Sequence, residues 1–271
     1  MIAVTKLACT WPEHIYLEWT TDYDEDATFE VLYRESEGLE WAVVATDVED
    51  VFYFHTNLNF YSVDTRHQYK VRSTRAGGVT EESEIVKSQQ RLPRRLALAR
   101  RKAHRDLDLR YRLNGTRVAV LKRKWHGERC TQCYDAGLRE VLNSFCLNCY
   151  STSIVGGYYT PVVKYMYIIS APMETPITVE GRTEVRSYRA EGTDVPYLSS
   201  EDMIIALETN HRYEVTSWDD AEIRANSYKQ TLNIRRHSND SIIYKFPIES
   251  ALQSVSVPGS LDVHSIMLTK V

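Results

Sequence analysis

The residues best suited to chemistry are four cysteines in two close pairs, Cys130-Thr-Gln-Cys133 and Cys146-Leu-Asn-Cys149, with twelve residues between the pairs. In a C-x2-C turn both thiolates can face one point about 2.3 Å away, and two such turns supply a tetrahedral shell of sulfurs. A structural zinc ion prefers that shell, so Zn2+ is the expected cofactor. Sulfur fills every position of the tetrahedron, so none is left open for water or substrate and catalysis at the metal is not expected. Two redox-active pairs, or iron in the same shell, are the other chemistries this spacing permits. Lys122, Arg123, Lys124 and Arg129 flank the first pair and are expected to offset the negative charge of a metal tetrathiolate. His126 lies near enough in sequence to stand in as a ligand, but beside four cysteines it is expected at the surface or behind the ligands. Cys9, the remaining cysteine, reads as a small buried hydrophobe near the first strand.

Five cysteines in 271 residues are too few for a disulfide scaffold, and their pairing favours metal binding in a reducing compartment. Hydrophobic residues at 43% and charged residues at 26% are the proportions of an ordinary globular chain with a core, long enough for two or three modules. No run approaches the roughly 20 apolar residues that span a bilayer, and the first residues lack the apolar stretch of a signal peptide. The expectation is a protein made and used without crossing a membrane. Its net charge of −4 hides a segregation. Residues 1–90 carry about ten more acids than bases, whereas residues 91–129 carry about eleven more bases than acids. The basic middle is therefore expected to face something anionic, either a nucleic acid or an acidic surface on a neighbouring subunit.

The elements that must position these residues are mostly strands. Ile15, Leu17 and Trp19 alternate, as do Phe29, Val31 and Tyr33, followed by a run near Trp41 to Val44 and by Tyr69 and Val71. Such short runs over residues 1–90 have the rhythm of a small β-sandwich. A helix is expected to begin near Pro93 and to end before Asn114-Gly115. Its leucines make no single stripe, and Arg94, Arg95, Arg100, Arg101, Lys102 and Arg105 are left to solvent or to an anionic partner. A strand from Thr116 leads into the cysteines, and a second β-rich body, barrel or sandwich, occupies about Ser151 to Glu249. Gly156 and Gly157 can take positive φ and fold the cysteine segment back on that body. In the tail, VHSIMLTKV could pair as a last strand.

Three resemblances follow from these residues. The tryptophan of IYLEW, the tyrosine of FEVLYRE and the stretch HQYKVRSTRAGGVTEESEIV resemble a fibronectin type III domain, with Tyr69 as its corner tyrosine. The cysteine pairs resemble a zinc ribbon, although Tyr134 and Tyr150 stand where many ribbons have glycine after a knuckle, which puts the knuckle geometry in question. The knuckles together with GGYYTP and the late HRYEVTSW and IYKFPI segments resemble virion structural proteins of tailed bacteriophages, above all those of the neck. That resemblance implies a small barrel assembling as a homo-oligomeric ring around the DNA channel. It further implies contacts with portal or connector and tail proteins, an immunoglobulin-like module projecting outward, and a location in the virion after assembly in the host cytoplasm. The chain is thus read as mainly β: a fibronectin type III-like β-sandwich over residues 1–90, a basic linker helix over 91–114, a zinc-ribbon region over 115–160 and a β-barrel-like assembly domain over 161–271.

Enzyme signatures are missing: there is no phosphate loop, no G-x-S-x-G elbow, no H-E-x-x-H helix and no dinucleotide-binding turn. The acids Asp22, Asp24, Glu25 and Asp26 lack the glycine and terminal glutamate of a helix-loop-helix calcium site and read as a solvated loop. The expectation is a non-enzymatic structural subunit. Arg94, Arg95, Arg100, Arg101, Lys102, Lys122, Arg123 and Lys124 are the candidate contacts to DNA or to an acidic neighbour. Tyr158, Tyr159, Tyr165 and Tyr167 are candidate interface or core residues. A zinc-ribbon nucleic-acid-binding regulator and a baseplate or fibre adhesin are the alternative readings.

Overall fold

Alternation over residues 1–90 forms β1 (Ile2–Thr10), β2 (His14–Thr21), β3 (Ala27–Arg34), β4 (Ala42–Val48), β5 (Phe52–His55), β6 (Gln68–Arg75), β7 (Thr80–Glu82) and the short β8 (Val86–Lys87). The structure, a computed structural model, describes residues 2–10, 14–22, 27–55, 67–75, 77–87, 94–135, 137, 140–141, 143, 145–170, 177–178, 181–182, 187–222 and 227–253. The first strands pair antiparallel into two sheets, β1-β2-β5 and β4-β3-β6-β7, with β8 also on β6. Ile15, Leu17 and Trp19 of one sheet meet Phe29, Val31, Tyr69 and Val71 of the other in a single core, which makes this unit a β-sandwich. Tyr69 is fully buried there, its ring 5.1 Å from that of Tyr33.

Alternation on β2 predicts one buried face, yet both faces are buried. Tyr16 and Glu18 point away from the sandwich core, and Tyr16 packs with Phe52 against Tyr159 and Val195 of the second β body. The sandwich is therefore docked on the second β body, and β2 serves both the sandwich core and the junction between the two.

α1 (Arg94–Asn114) ends where the sequence places its end. The Gly115 N–H closes the last turn on the Tyr111 carbonyl at 2.7 Å, and a Cβ at Gly115 would lie 2.8 Å from the Met166 carbonyl oxygen. Only glycine permits that approach of the helix end to a strand. The scattered leucines belong to two faces. Arg100, His104 and Tyr111 are buried toward the second body, whereas Leu98, Leu109 and Leu113 are exposed on the other side.

Beyond the helix come β9 (Thr116–Leu121), β10 (Tyr134–Asp135), β11 (Glu140–Val141), β12 (Val162–Ser170), β13 (Ile177–Thr178), β14 (Gly181–Arg182), β15 (Ser187–Thr193), β16 (Met203–Ala206), β17 (His211–Glu222) and β18 (Ser227–Arg236). Six of them close a barrel in the order β12-β15-β18-β17-β16-β9. The short β10-β11 and β13-β14 pairs are separate hairpins. β9 is a barrel strand, hydrogen-bonded to both β12 and β16. This corrects the expected boundary at 161: the cysteine segment is an insertion between two neighbouring barrel strands, not a module ahead of the barrel.

The sequence explains which barrel strands carry a second layer. β9 reads Val-Ala-Val-Leu and β16 reads Met-Ile-Ile-Ala, continuous apolar runs of the kind buried on both faces. Val118, Val120, Ile204 and Ala206 point into the barrel. Ala119, Leu121, Met203 and Ile205 point outward, beneath Ile243 and Phe246. These last two sit on and just after a 3-10 turn (Ile242–Lys245) that precedes α2 (Ile248–Gln253). The buried Arg212 holds this turn by donating to the carbonyls of Ile243 and Phe246. The expected last strand in VHSIMLTKV lies outside the described residues, as do Asp24, Glu25 and Asp26 and the side chain of Cys9.

Candidate metal centre

The backbone builds the cysteine site from the barrel outward. Past the end of β9 the chain continues antiparallel to residues 153–159, through Tyr159 N–H to Lys122 O at 2.9 Å, Lys124 N–H to Gly157 O at 3.0 Å and Cys130 N–H to Ser153 O at 2.9 Å. This irregular ladder brings the two C-x2-C turns together. Each is closed the same way, Tyr134 N–H to Cys130 O at 3.1 Å and Tyr150 N–H to Cys146 O at 3.0 Å.

All four cysteines are buried, unbridged and mutually close: Cys130 Sγ to Cys146 Sγ is 3.6 Å, Cys133 Sγ to Cys149 Sγ is 3.0 Å, and every pair lies within 4.8 Å. A disulfide needs about 2.05 Å between sulfurs, and a tetrahedral ion with bonds of about 2.3 Å sets its ligands about 3.8 Å apart. The spacing fits a shared ion. These four form a buried cluster composed, among the described residues, of cysteines alone. The donor set, the burial and the distances suit a metal ion; His126 is not among the clustered ligands.

Burial pushes the Cys130 thiol up, but hydrogen bonds from the Gln132 backbone and from Cys133, Asn148 and Cys146 outweigh it and bring it down to about 7. Burial, with hydrogen bonds to Cys149, Cys130 and Cys146, pushes Cys133 well up, and burial raises Cys149. Cys130 is thus readier to ionise than Cys133 or Cys149, and a binding cation must displace the protons these two hold.

Neither family models nor curated proteins match this chain.

The question raised by Tyr134 and Tyr150 has a structural answer. Tyr150 takes the positive φ that glycine adopts most easily, at 48°, and Ser151 and Ser153 follow at 71° and 70°, whereas Tyr134 is not in that region. The Tyr150 ring packs on Phe246 at 5.1 Å, and that of Tyr158 packs on the same phenyl group at 5.8 Å. The strained backbone is thus held by aromatic contacts that fix the insertion on the outer face of β9 and β16. Sequence reasoning missed Phe246 and Asn148. The Asn148 amide donates to Cys130 Sγ at 3.6 Å, and the uninterrupted apolar runs of β9 and β16 were the signal that something must cover them.

Gly157 has φ of 69°, and a Cβ there would lie 2.8 Å from the Cys149 carbonyl oxygen. Gly157→Ala is expected to cost about 1–3 kcal/mol and to speed loss of metal to a chelator, measured by the absorbance of a metal indicator over time.

The basic residues expected to serve the thiolates or an outside anion are mostly engaged inside the chain. Lys122 is buried, salt-bridged to Glu18 and donating to the Tyr197 carbonyl at 2.7 Å. Arg100 is buried, donating to Asp194 Oδ2 at 3.0 Å and to the Ser227 carbonyl at 2.8 Å. Both were candidate contacts to DNA or an acidic neighbour, and both instead satisfy carboxylates of this chain, because a buried carboxylate needs a partner. Arg123 pairs with Glu201 and lies 4.6 Å over the Trp125 ring. Lys124 lies 5.6 Å over the Tyr159 ring, and Arg129 donates to Ser153 Oγ at 3.0 Å. Arg95 and Lys102 remain exposed on α1, whereas the side chains of Arg94 and Arg101 lie outside the described ones. Of the tyrosines, Tyr159 is buried at the junction, Tyr158 and Tyr165 are half-buried and Tyr167 is exposed.

Proposed function

We propose that the chain is a structural subunit of a tailed-phage particle, of the neck or head-tail connector type, whose cysteine cluster binds one zinc ion and which assembles as a ring. The observation that carries the structural part is the donor set. Four buried sulfurs within 4.8 Å of one another can supply a tetrahedral shell, a donor set that suits zinc and leaves no position for a reacting ligand. Zinc at this place acts on shape, holding the insertion rigid against the barrel through Tyr150, Tyr158 and Phe246. The particle reading rests on the order of knuckles, GGYYTP, HRYEVTSW and IYKFPI in the sequence. The nucleic-acid regulator has less support, since Arg100, Lys122 and Arg123 are engaged with Asp194, Glu18 and Glu201.

Two measurements test the proposal together. Elemental analysis of the reduced, folded protein is expected to give about one zinc per chain. Negative-stain images of the purified protein, and immunolabelled images of particles, are expected to show rings and a signal where head meets tail. A strictly monomeric protein absent from particles overturns the particle reading, and a metal-free folded protein overturns the zinc.

A further inference from the structure

The face of α1 turned away from the barrel is unusual for a solvated surface. Arg95, Leu98, Lys102, Leu109 and Leu113 recur at helical spacing on one stripe, with the exposed Asp106 as the acid among them, and Leu113 is 72% exposed. The opposite face, with Arg100, His104 and Tyr111, is the one that meets the barrel. A helix that carries apolar side chains on both faces has a second surface to cover.

A surface of matching chemistry lies on the same chain but out of the helix's reach. β4 is an edge strand of the sandwich, and around it Leu39 and Val43 are half exposed among the exposed acids Glu40, Asp47 and Glu49, while Glu37 is paired with Lys87. The sheet's other edge offers less, because Glu82 is held by Lys70 and Arg72, and Glu81 by Arg75. Helix α1 touches the sandwich at β1, which packs against β6 and β8, whereas β4 lies on the far side of β3.

We infer that the outer face of α1 docks on the acidic β4 edge of a second copy of this chain, leucines against Leu39 and Val43 and bases against acids. Because the two surfaces differ, the contact is head-to-tail, and its repetition closes a ring or extends a filament. It explains the charge segregation of the sequence and covers an edge strand that has no second partner strand among the described residues. The inference builds on the ring reading above and assigns its surfaces.

The test is a charge exchange followed by sedimentation. R95E/K102E and E40K/E49K change only exposed side chains, so each variant is expected to keep the metal content and circular dichroism of the parent. Each alone is expected to sediment as a monomer where the parent is oligomeric. A one-to-one mixture of the two is expected to restore assembly, since each variant's reversed surface fits the other's, and so is the chain carrying all four changes. If the parent assembles and both variants still do so unchanged, this contact is wrong while the ring reading stands. If the parent is monomeric at every concentration, the contact is also wrong, and labelled particles then decide the particle reading separately.

Discussion

Cys149→Ser is expected to abolish stoichiometric metal and to cost the fold several kcal/mol, while leaving the barrel interior in place. The expectation follows from where the cohesion of each part comes from. Val118, Val120, Met166, Leu198, Ile204, Leu232 and Ile234 fill the barrel, and none belongs to the insertion between β9 and β12. Among the described residues of the insertion the cysteines form a buried cluster of their own, so a shared ion is expected to set its order. Without that ion, four thiols 3.0 to 4.8 Å apart provide only weak sulfur hydrogen bonds. The positive φ of Tyr150 and Ser151 then has less to hold it, and the packing of Tyr150 and Tyr158 on Phe246 loosens. Limited proteolysis should therefore open residues 122–161 first, with far-UV circular dichroism showing most strand signal retained. Adding zinc to the chelated parent should restore protection and raise the melting temperature with the logarithm of free metal. A variant that keeps its metal and melts with the parent would falsify this account. Phe246→Ala, which removes the anvil under both tyrosines, is expected to cost about 3–5 kcal/mol and to release metal faster without touching a ligand.

Spacing made the cysteine site legible, because C-x2-C turns place their own sulfurs with little help from the rest of the fold. The helix end was legible for a similar local reason: Asn-Gly acts on its own backbone. What stayed hidden depends on residues far apart in the chain. Tyr16 and Glu18 look like the solvated side of β2 until the partners Lys122 and Tyr197 are in place, about a hundred and more residues away. Arg100 and Lys122 look like members of one basic run until Asp194 and Glu18 are placed beside them. Alternation also carries no information on which strand closes a barrel, so the strand entering the cysteines was assigned to the ribbon rather than to the barrel it completes. Some of this was recoverable. A strand reading Val-Ala-Val-Leu is apolar on both faces, and a ribbon strand open to water would not be.

The joint between sandwich, helix and barrel should be the most acid-sensitive part of the molecule, and Asp194 is its centre. This fully buried carboxylate lies 2.8 Å from Lys6 of the sandwich, 3.0 Å from Arg100 and 3.5 Å from His104 of the helix, and accepts a hydrogen bond from Ser227 Oγ at 2.8 Å. Burial alone would raise its pKa, but Lys6, Arg100 and His104 outweigh that and hold it down at about 2. Burial brings His104 down to about 4, so at neutral pH its ring is uncharged. In both groups the folded pKa lies below the ordinary one, so the unfolded chain binds more protons in the interval between them, and stability falls as the pH drops through it. For His104 that interval runs from 6.5 to about 4, and for Asp194 from 3.8 to about 2. At 1.36 kcal/mol per unit, each contributes on the order of 3 kcal/mol, the histidine first on acidification. His104→Phe is expected to flatten the stability profile between pH 6.5 and 4 while leaving the lower limb, read from urea midpoints at several pH values. Asp194→Ala has the larger effect at neutral pH. It strands Lys6 and Arg100 without a counter-charge in a buried joint, an omission worth about 3–5 kcal/mol, whereas the isosteric Asp194→Asn keeps an acceptor for Ser227 and should lose less. Equal stability of the alanine variant and the parent at pH 7 would mean that the joint is held by Tyr16, Phe52, Tyr159 and Val195 alone.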